Sequence, residues 1–216
     1  MLTFGFCLIS FGLKKMKKIL SIFSYIFHPM FISVYAVFLY FFLTDRYHSY
    51  QELFLIMVQV MILTILIPIS IFYFLMSLGR ANSFMLSEIS QRKIPLFINA
   101  LLFYLLITQS IKIELIPELY YFFFGALAST ILAFLLIFTN LKASLHMLGI
   151  SSLTVFIIGF SLHTQSNHIY LVATFLLLTG FVATSRLSMK AHDTKELIAG
   201  FLVGVLPQIG LLYFWL

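Results

Sequence analysis

Residues 143–185 contain no Asp, Glu, Lys or Arg. About 20 apolar residues suffice to cross the hydrocarbon of a bilayer, so a run of this length holds more than one crossing. Its polar patch HTQSNH (163–168) divides it into spans near 147–162 and 169–184. Further uncharged runs lie at 19–43, 53–78, 94–111, 119–138 and 197–216. The runs are continuous rather than alternating, which argues for helices and against a β-barrel. The expected fold is an all-α polytopic transmembrane bundle of about seven spans, a six-span core plus one, forming a single domain over 19–216. Composition agrees: 62% of the 216 residues are hydrophobic and 9% charged, against about 25% charged in soluble domains. The lone cysteine, Cys7, excludes an intrachain disulfide framework.

Residues 1–18 read as an N-terminal extension. The segment MLTFGFCLISFGL is too short to span, and KKMKK follows it. Met16 reads as the natural start, with MKKILSIFSYIFHP entering the first helix. Under seven spans, one side of the membrane holds Lys14, Lys15, Lys17, Lys18, Arg80, Arg92, Lys93, Lys142, Arg186, Lys190 and Lys195, and the other only Arg46 and Lys112. The positive-inside rule makes the richer side cytoplasmic. The net charge of +6 is thereby assigned to topology or to an anionic ligand, and nucleic acid is not an expected partner.

The same parity places three loops on one face: 79–93, 139–146 and 185–196. They read GRANSFMLSEISQRKIP (79–95), NLKASLHMLG (140–149) and SRLSMKAHDTKELIAGFLVG (185–204). Together they gather Arg80, Arg92, Lys93, Lys142, Ser144, His146, Arg186 and His192. Guanidinium forks match phosphate oxygens, hydroxyls and helix N-terminal amides add donors, and two histidines can divide the work of nucleophile and general acid. If a helix starts near His192, Glu196 lies four residues on and shares its face. A carboxylate there accepts the imidazole N–H and leaves the other ring nitrogen more nucleophilic. Gly200 and Gly204 follow at the spacing that lets membrane helices approach closely.

These loops resemble the type-2 phosphatidic acid phosphatase superfamily of membrane lipid phosphatases. That family's last motif, S-R-x5-H-x3-D, is matched by Ser185, Arg186, His192 and Glu196, with Glu for Asp. Its P-S-G-H is matched by Ser144-Leu145-His146, with Ala143 for Pro and Leu145 for Gly. Its K-x6-R-P appears in loosened form as Arg92 and Pro95, with Met85 in place of the lysine. The resemblance runs from about residue 80 to 204 and is closest to a compact bacterial branch with a histidine-proline in its first helix, here His28-Pro29. It implies a lipid phosphate as substrate and a bacterial cytoplasmic membrane as location. It implies His192 as the nucleophile forming a phosphohistidine, Glu196 as its orienter and His146 as acid to the leaving alkoxide. Arg186, Arg92, Lys93 and Ser144 are implied to hold phosphate, with Arg80 or Lys93 replacing the missing lysine. It implies no metal and no other cofactor.

Simpler readings stand beside these. Loop cations are also topology signals, above all Lys14 to Lys18, Lys190 and Lys195. The two histidines with Asp193 or Glu196 are also metal-ligand types. His28-Pro29 either kinks the first helix or brings a ring to the site. His163 and His168 read as interfacial polarity on the opposite face, and Tyr120, Tyr121, Tyr213 and Trp215 as interfacial belt residues. The function alternatives are a lipid phosphotransferase using the same phosphohistidine, or a non-catalytic transporter or assembly protein with a degenerate phosphate site.

Overall fold

The computed structural model of the chain describes residues 19–79 and 89–216. Met16, Lys14 to Lys18, Arg80 and Met85 lie outside the described residues. The architecture is all-α, with no strand among the described residues. The helices are α1 (Ile19–Ile26), α2 (Pro29–Leu43), α3 (Tyr50–Met61), α4 (Ile67–Ser77), α5 (Lys93–Leu105), α6 (Pro117–Leu136), α7 (Leu145–His163), α8 (Ile169–Ser188) and α9 (Thr194–Leu212). A π turn, Ile62–Leu66, joins α3 to α4, so that Tyr50–Ser77 is one pass. Six described helices are long and apolar enough to cross a bilayer, and the chain is an integral membrane protein.

The expected first span, 19–43, is not one straight helix. It breaks at Phe27-His28, and α1 and α2 meet at 68°. Pro29 explains the break: it has no N–H to give the preceding turn, and its ring disfavours helical geometry at His28. His28 accordingly adopts extended backbone (φ −64°, ψ 140°) and caps α2 through its side chain. With eight residues α1 is too short to cross. Helix α2 still joins both ends of the bundle, because His28 meets His146 at one end and Tyr40 meets Glu118 at the other.

Helix α7 lies at the centre. From Met147 to Phe160 it is buried almost continuously, as expected of a helix apolar all round. Small residues on α9 let the two helices approach. A Cβ added at Gly200 would overlap the backbone of Ser144, and one added at Gly204 would overlap the backbone of Leu148. That contact brings Ser144 N–H to the Glu196 carbonyl at 3.0 Å, which fixes the start of α7 against the start of α9.

Two local signals shape the segment before α9. Lys190, with φ 53°, closes the end of α8 in the left-handed conformation. Asp193 and Glu196 form a capping box that starts α9. The turn between them carries His192. At the opposite end one expectation is corrected: Trp215 is no belt residue but is 7% exposed, with its ring 5.6 Å from that of His163. Tyr213, by contrast, is 88% exposed.

Candidate active site

The connections before α5, before α7 and before α9 lie at one end of the bundle, beside the α1–α2 break. There Arg92, His146, Arg186 and His192 line a single cavity of about 490 Å³, together with Ser24 and His28. Among the described residues no group of His, Cys, Asp or Glu is arranged to hold a metal ion.

His192 is 7% exposed. Its Nδ1 donates to Glu196 Oε2 at 2.7 Å, so in the neutral ring the lone pair is on Nε2. The same Oε2 accepts the Asp193 backbone N–H at 3.3 Å, while Asp193 Oδ1 accepts the Glu196 N–H at 2.8 Å. The helix cap therefore positions the carboxylate that orients the imidazole. Burial holds the His192 pKa down, to about 4, against the raising effect of the Glu196 hydrogen bond. At neutral pH the ring is unprotonated.

His146 projects from the first turn of α7. Its Nε2 lies 3.1 Å from the Ser24 carbonyl. A carbonyl only accepts, so Nε2 carries the proton, and Nδ1 is the ring nitrogen left to exchange one. The source of that carbonyl is the α1–α2 break. With the helical ladder ended, terminal carbonyls of α1 take side-chain donors: Ser24 from His146, and Ile26 from the Tyr35 hydroxyl at 2.9 Å. Ser24 is tied in further by its hydroxyl, 2.6 Å from that of Ser185. The His28 ring stands edge-to-face on His146, 5.1 Å between centroids and 86° between planes. Of the two readings of His28-Pro29, both hold: it breaks the helix and it brings a ring to the site.

The cations converge on the same place. Arg92 is buried, and its Nη1 donates to the Ala143 carbonyl at 3.1 Å, joining the α4–α5 and α6–α7 connections. Desolvation lowers its pKa to about 10, with Glu196 opposing and Arg186 reinforcing the fall, so it stays charged at neutral pH. Lys142 is lowered by burial and then by Arg92, with Glu196 opposing. Arg186 is 5% exposed, and its Nε is buried without a hydrogen-bond partner.

Ser144 is fully buried beside His146, and its Oγ also lacks a partner. It is not in the cavity wall. Lys93 departs further from expectation. It is exposed, with Nζ 5.3 Å from the centre of the Phe138 ring, and it does not line the cavity. Neighbouring helical residues point about 100° apart, and here Arg92 takes the inward direction. Sequence reasoning missed Ser24, because a backbone carbonyl carries no side-chain signal. It missed Asp193 as a cap, although Asp-x-x-Glu before an apolar run is that signal.

Beyond its polar end the cavity is walled mainly by apolar side chains of α2, α4 and α5, including Pro68, Phe72, Leu96 and Leu102. The site is thus a cationic, histidine-bearing head with an apolar extension. Comparison of the chain with protein-family models, with curated proteins and with solved structures returns no match.

Proposed function

We propose that the protein is a membrane lipid phosphatase that hydrolyses a phosphomonoester or diphosphate of a lipid through a phosphohistidine. The observation that carries this reading is the convergence of His192 and His146 with two buried arginines on one cavity that continues into apolar walls. The arginines and the unpartnered Arg186 Nε suit a phosphate, and the apolar walls suit a lipid chain.

In the proposed reaction His192 Nε2 attacks phosphorus. The N–P bond forms as the P–O bond to the lipid breaks. His146, which takes a proton on Nδ1 as the anionic phosphate enters the site, gives that proton to the departing alkoxide and becomes neutral. Glu196 holds His192 Nδ1–H and balances the charge on the ring. Water, deprotonated by His146, then attacks phosphorus and breaks the N–P bond. Inorganic phosphate leaves and both rings return to their starting states. Arg92 and Arg186 neutralise the phosphoryl oxygens throughout.

The test is phosphate release from a panel of lipid phosphates by purified protein, with trapping of the phosphoenzyme. An acid-labile, base-stable phosphoenzyme that is lost in His192→Ala supports the reading. Release that survives His192→Ala would sink it. We place the protein in a bacterial cytoplasmic membrane with this site on the cytoplasmic face, because Lys17 and Lys18 directly precede the first helical segment. Labelling of Lys195→Cys but not Tyr47→Cys from outside intact cells, in a Cys7→Ser background, would reverse that orientation.

A further inference from the structure

The apolar extension of the cavity is not wholly apolar. Arg92, at the cap of α5, and Pro95, Asn99 and Leu102 within it present a stripe to the cavity, the spacing of a single helix face. Asn99 sits two turns beyond Arg92, about 9 Å along the axis from the start of α5, inside the pass Lys93–Ser110, which carries no charge after Lys93. Helix α2 presents His28 at the head and Ser33 one turn deeper. Ser33 is buried, and among the described residues the side chain of neither Ser33 nor Asn99 forms a hydrogen bond. Thr64, on the π turn of the facing pass, also lines the cavity, with its hydroxyl donating to the Val60 carbonyl at 2.8 Å.

Polar side chains at membrane depth are expensive unless they meet a partner. A carboxamide and a hydroxyl that face a common cavity without protein partners are therefore placed to meet a ligand. Between them they offer N–H and O–H donors on the apolar side of the cationic head. A hydrocarbon chain has nothing to accept those bonds, whereas an ester carbonyl does.

We propose that Ser33 and Asn99 form a second polar subsite that binds the ester carbonyls of a glycerolipid, so that the cavity selects ester-bearing lipids over isoprenoid ones. This rests on the lipid phosphatase reading for the phosphate end, but the subsite is separable from it, since a lipid alcohol without phosphate engages the subsite alone. A site that hydrogen-bonds its ligand rejects an analogue lacking the acceptor, because its own polar groups are then left unpaired.

The experiment measures retention of tritiated diacylglycerol and of a tritiated prenol of matching carbon number by the purified full chain in detergent. The wild type is expected to hold the diacylglycerol at least about 10-fold more tightly, the worth of one or two neutral hydrogen bonds. Asn99→Leu should remove most of that preference and leave prenol retention unchanged, and Ser33→Ala should remove part of it. Unchanged prenol retention also reports that each variant is folded. Equal retention of the two lipids by wild type, retention of neither, or parallel loss of both in Asn99→Leu and Ser33→Ala alike would overturn the subsite. Failure of the phosphatase reading shows separately, as absence of phosphate release while the diacylglycerol preference persists.

Discussion

At one end of the bundle Glu118 is buried beneath Arg46, His163 and Tyr40; at the other, Glu196 shares its surroundings with Arg92, Lys142, Arg186 and three histidines. In the first group the carboxylate is fully engaged by protein partners. Glu118 Oε1 lies 3.0 Å from Arg46 Nη2 and 3.3 Å from His163 Nε2, and Oε2 accepts the Tyr40 hydroxyl at 3.3 Å. It ties the α2–α3 connection, the start of α6 and the end of α7 together. The second group does not balance. Its carboxylate is committed to His192 and to the Asp193 N–H, and cationic groups outnumber it around a cavity. Buried ions settle where partners satisfy them. The contrast teaches that a buried polar cluster in a membrane protein is to be read by its charge balance: a neutralised cluster clamps helices, and an unbalanced cationic one fits an anion that comes from outside.

The largest expected effect falls on His146. If it protonates the leaving alkoxide, His146→Ala should slow release from an alkyl phosphate by about 10²–10⁴-fold. It should slow release from p-nitrophenyl phosphate far less, because that leaving group needs no proton. Equal losses on the two substrates would show that His146 only shapes the pocket.

Next in size is Glu196. Glutamine also serves at the third position of a capping box, so Glu196→Gln keeps the helix start and removes the charge beside His192. Turnover should fall about 10- to 100-fold, and Glu196→Asp should lose less. Titration separates this from a packing effect. The His192 pKa is depressed to about 4, chiefly by burial, so the stability linked to this group declines as pH falls from the ordinary histidine range toward 4, whereas attack declines only as pH nears about 4 and the ring protonates. Because Glu196 favours the charged ring, Glu196→Gln should move the His192 midpoint lower still. NMR of protein labelled at the histidine ring nitrogens reads it directly. A wild-type midpoint at or above 6.5 would break the assignment of His192 as a neutral nucleophile.

How far the sequence reaches can be judged from particular residues. Long uncharged runs marked out the passes, because length and hydrophobicity alone set a crossing. Loop parity put His146, Arg186 and His192 at one end, and the i, i+4 spacing of His192 and Glu196 is the hydrogen bond observed. Rotation of each helix about its own axis was beyond reach, since neither parity nor a nearly all-apolar pattern specifies it. That is why Arg92 and Lys93 looked equivalent, and why Asn99 read as one more residue of a span. The break in the first span, 19–43, was legible at Pro29, where local backbone chemistry overrides hydrophobic continuity, but its angle of 68° was not. Trp215 was misread because an aromatic near a chain end is as consistent with packing on His163 as with a lipid interface.

The opposite end carries a smaller prediction. Glu118→Gln should leave turnover unchanged and lower stability by about 1–3 kcal/mol, seen as earlier thermal unfolding in detergent, with Arg46→Ala costing less because that side chain is 48% exposed and turns to water. A loss of turnover in Glu118→Gln without loss of stability would connect the two ends functionally and undo the contrast between clamp and site.

The smallest effect is expected at Lys93, and it bears on the comparison all the same. Sequence order counts Lys93 among the phosphate-holding cations, adjacent to Arg92. In the fold its ammonium lies over the exposed Phe138 ring, at 5.3 Å, on the outside of the helix whose inner face carries Arg92. An exposed cation–π contact is worth about 0.5–1 kcal/mol, and a cation outside the cavity adds only a screened, long-range attraction for an anionic lipid. Lys93→Ala should therefore leave kcat within about two-fold of wild type and soften any salt dependence of KM slightly, whereas Arg92→Ala should cost turnover about 10- to 100-fold, the worth of a charged hydrogen bond. If Lys93→Ala instead lost as much as Arg92→Ala, the cation would have to swing inward when substrate binds, and the imbalance of charge at this end would be larger than the resting geometry displays.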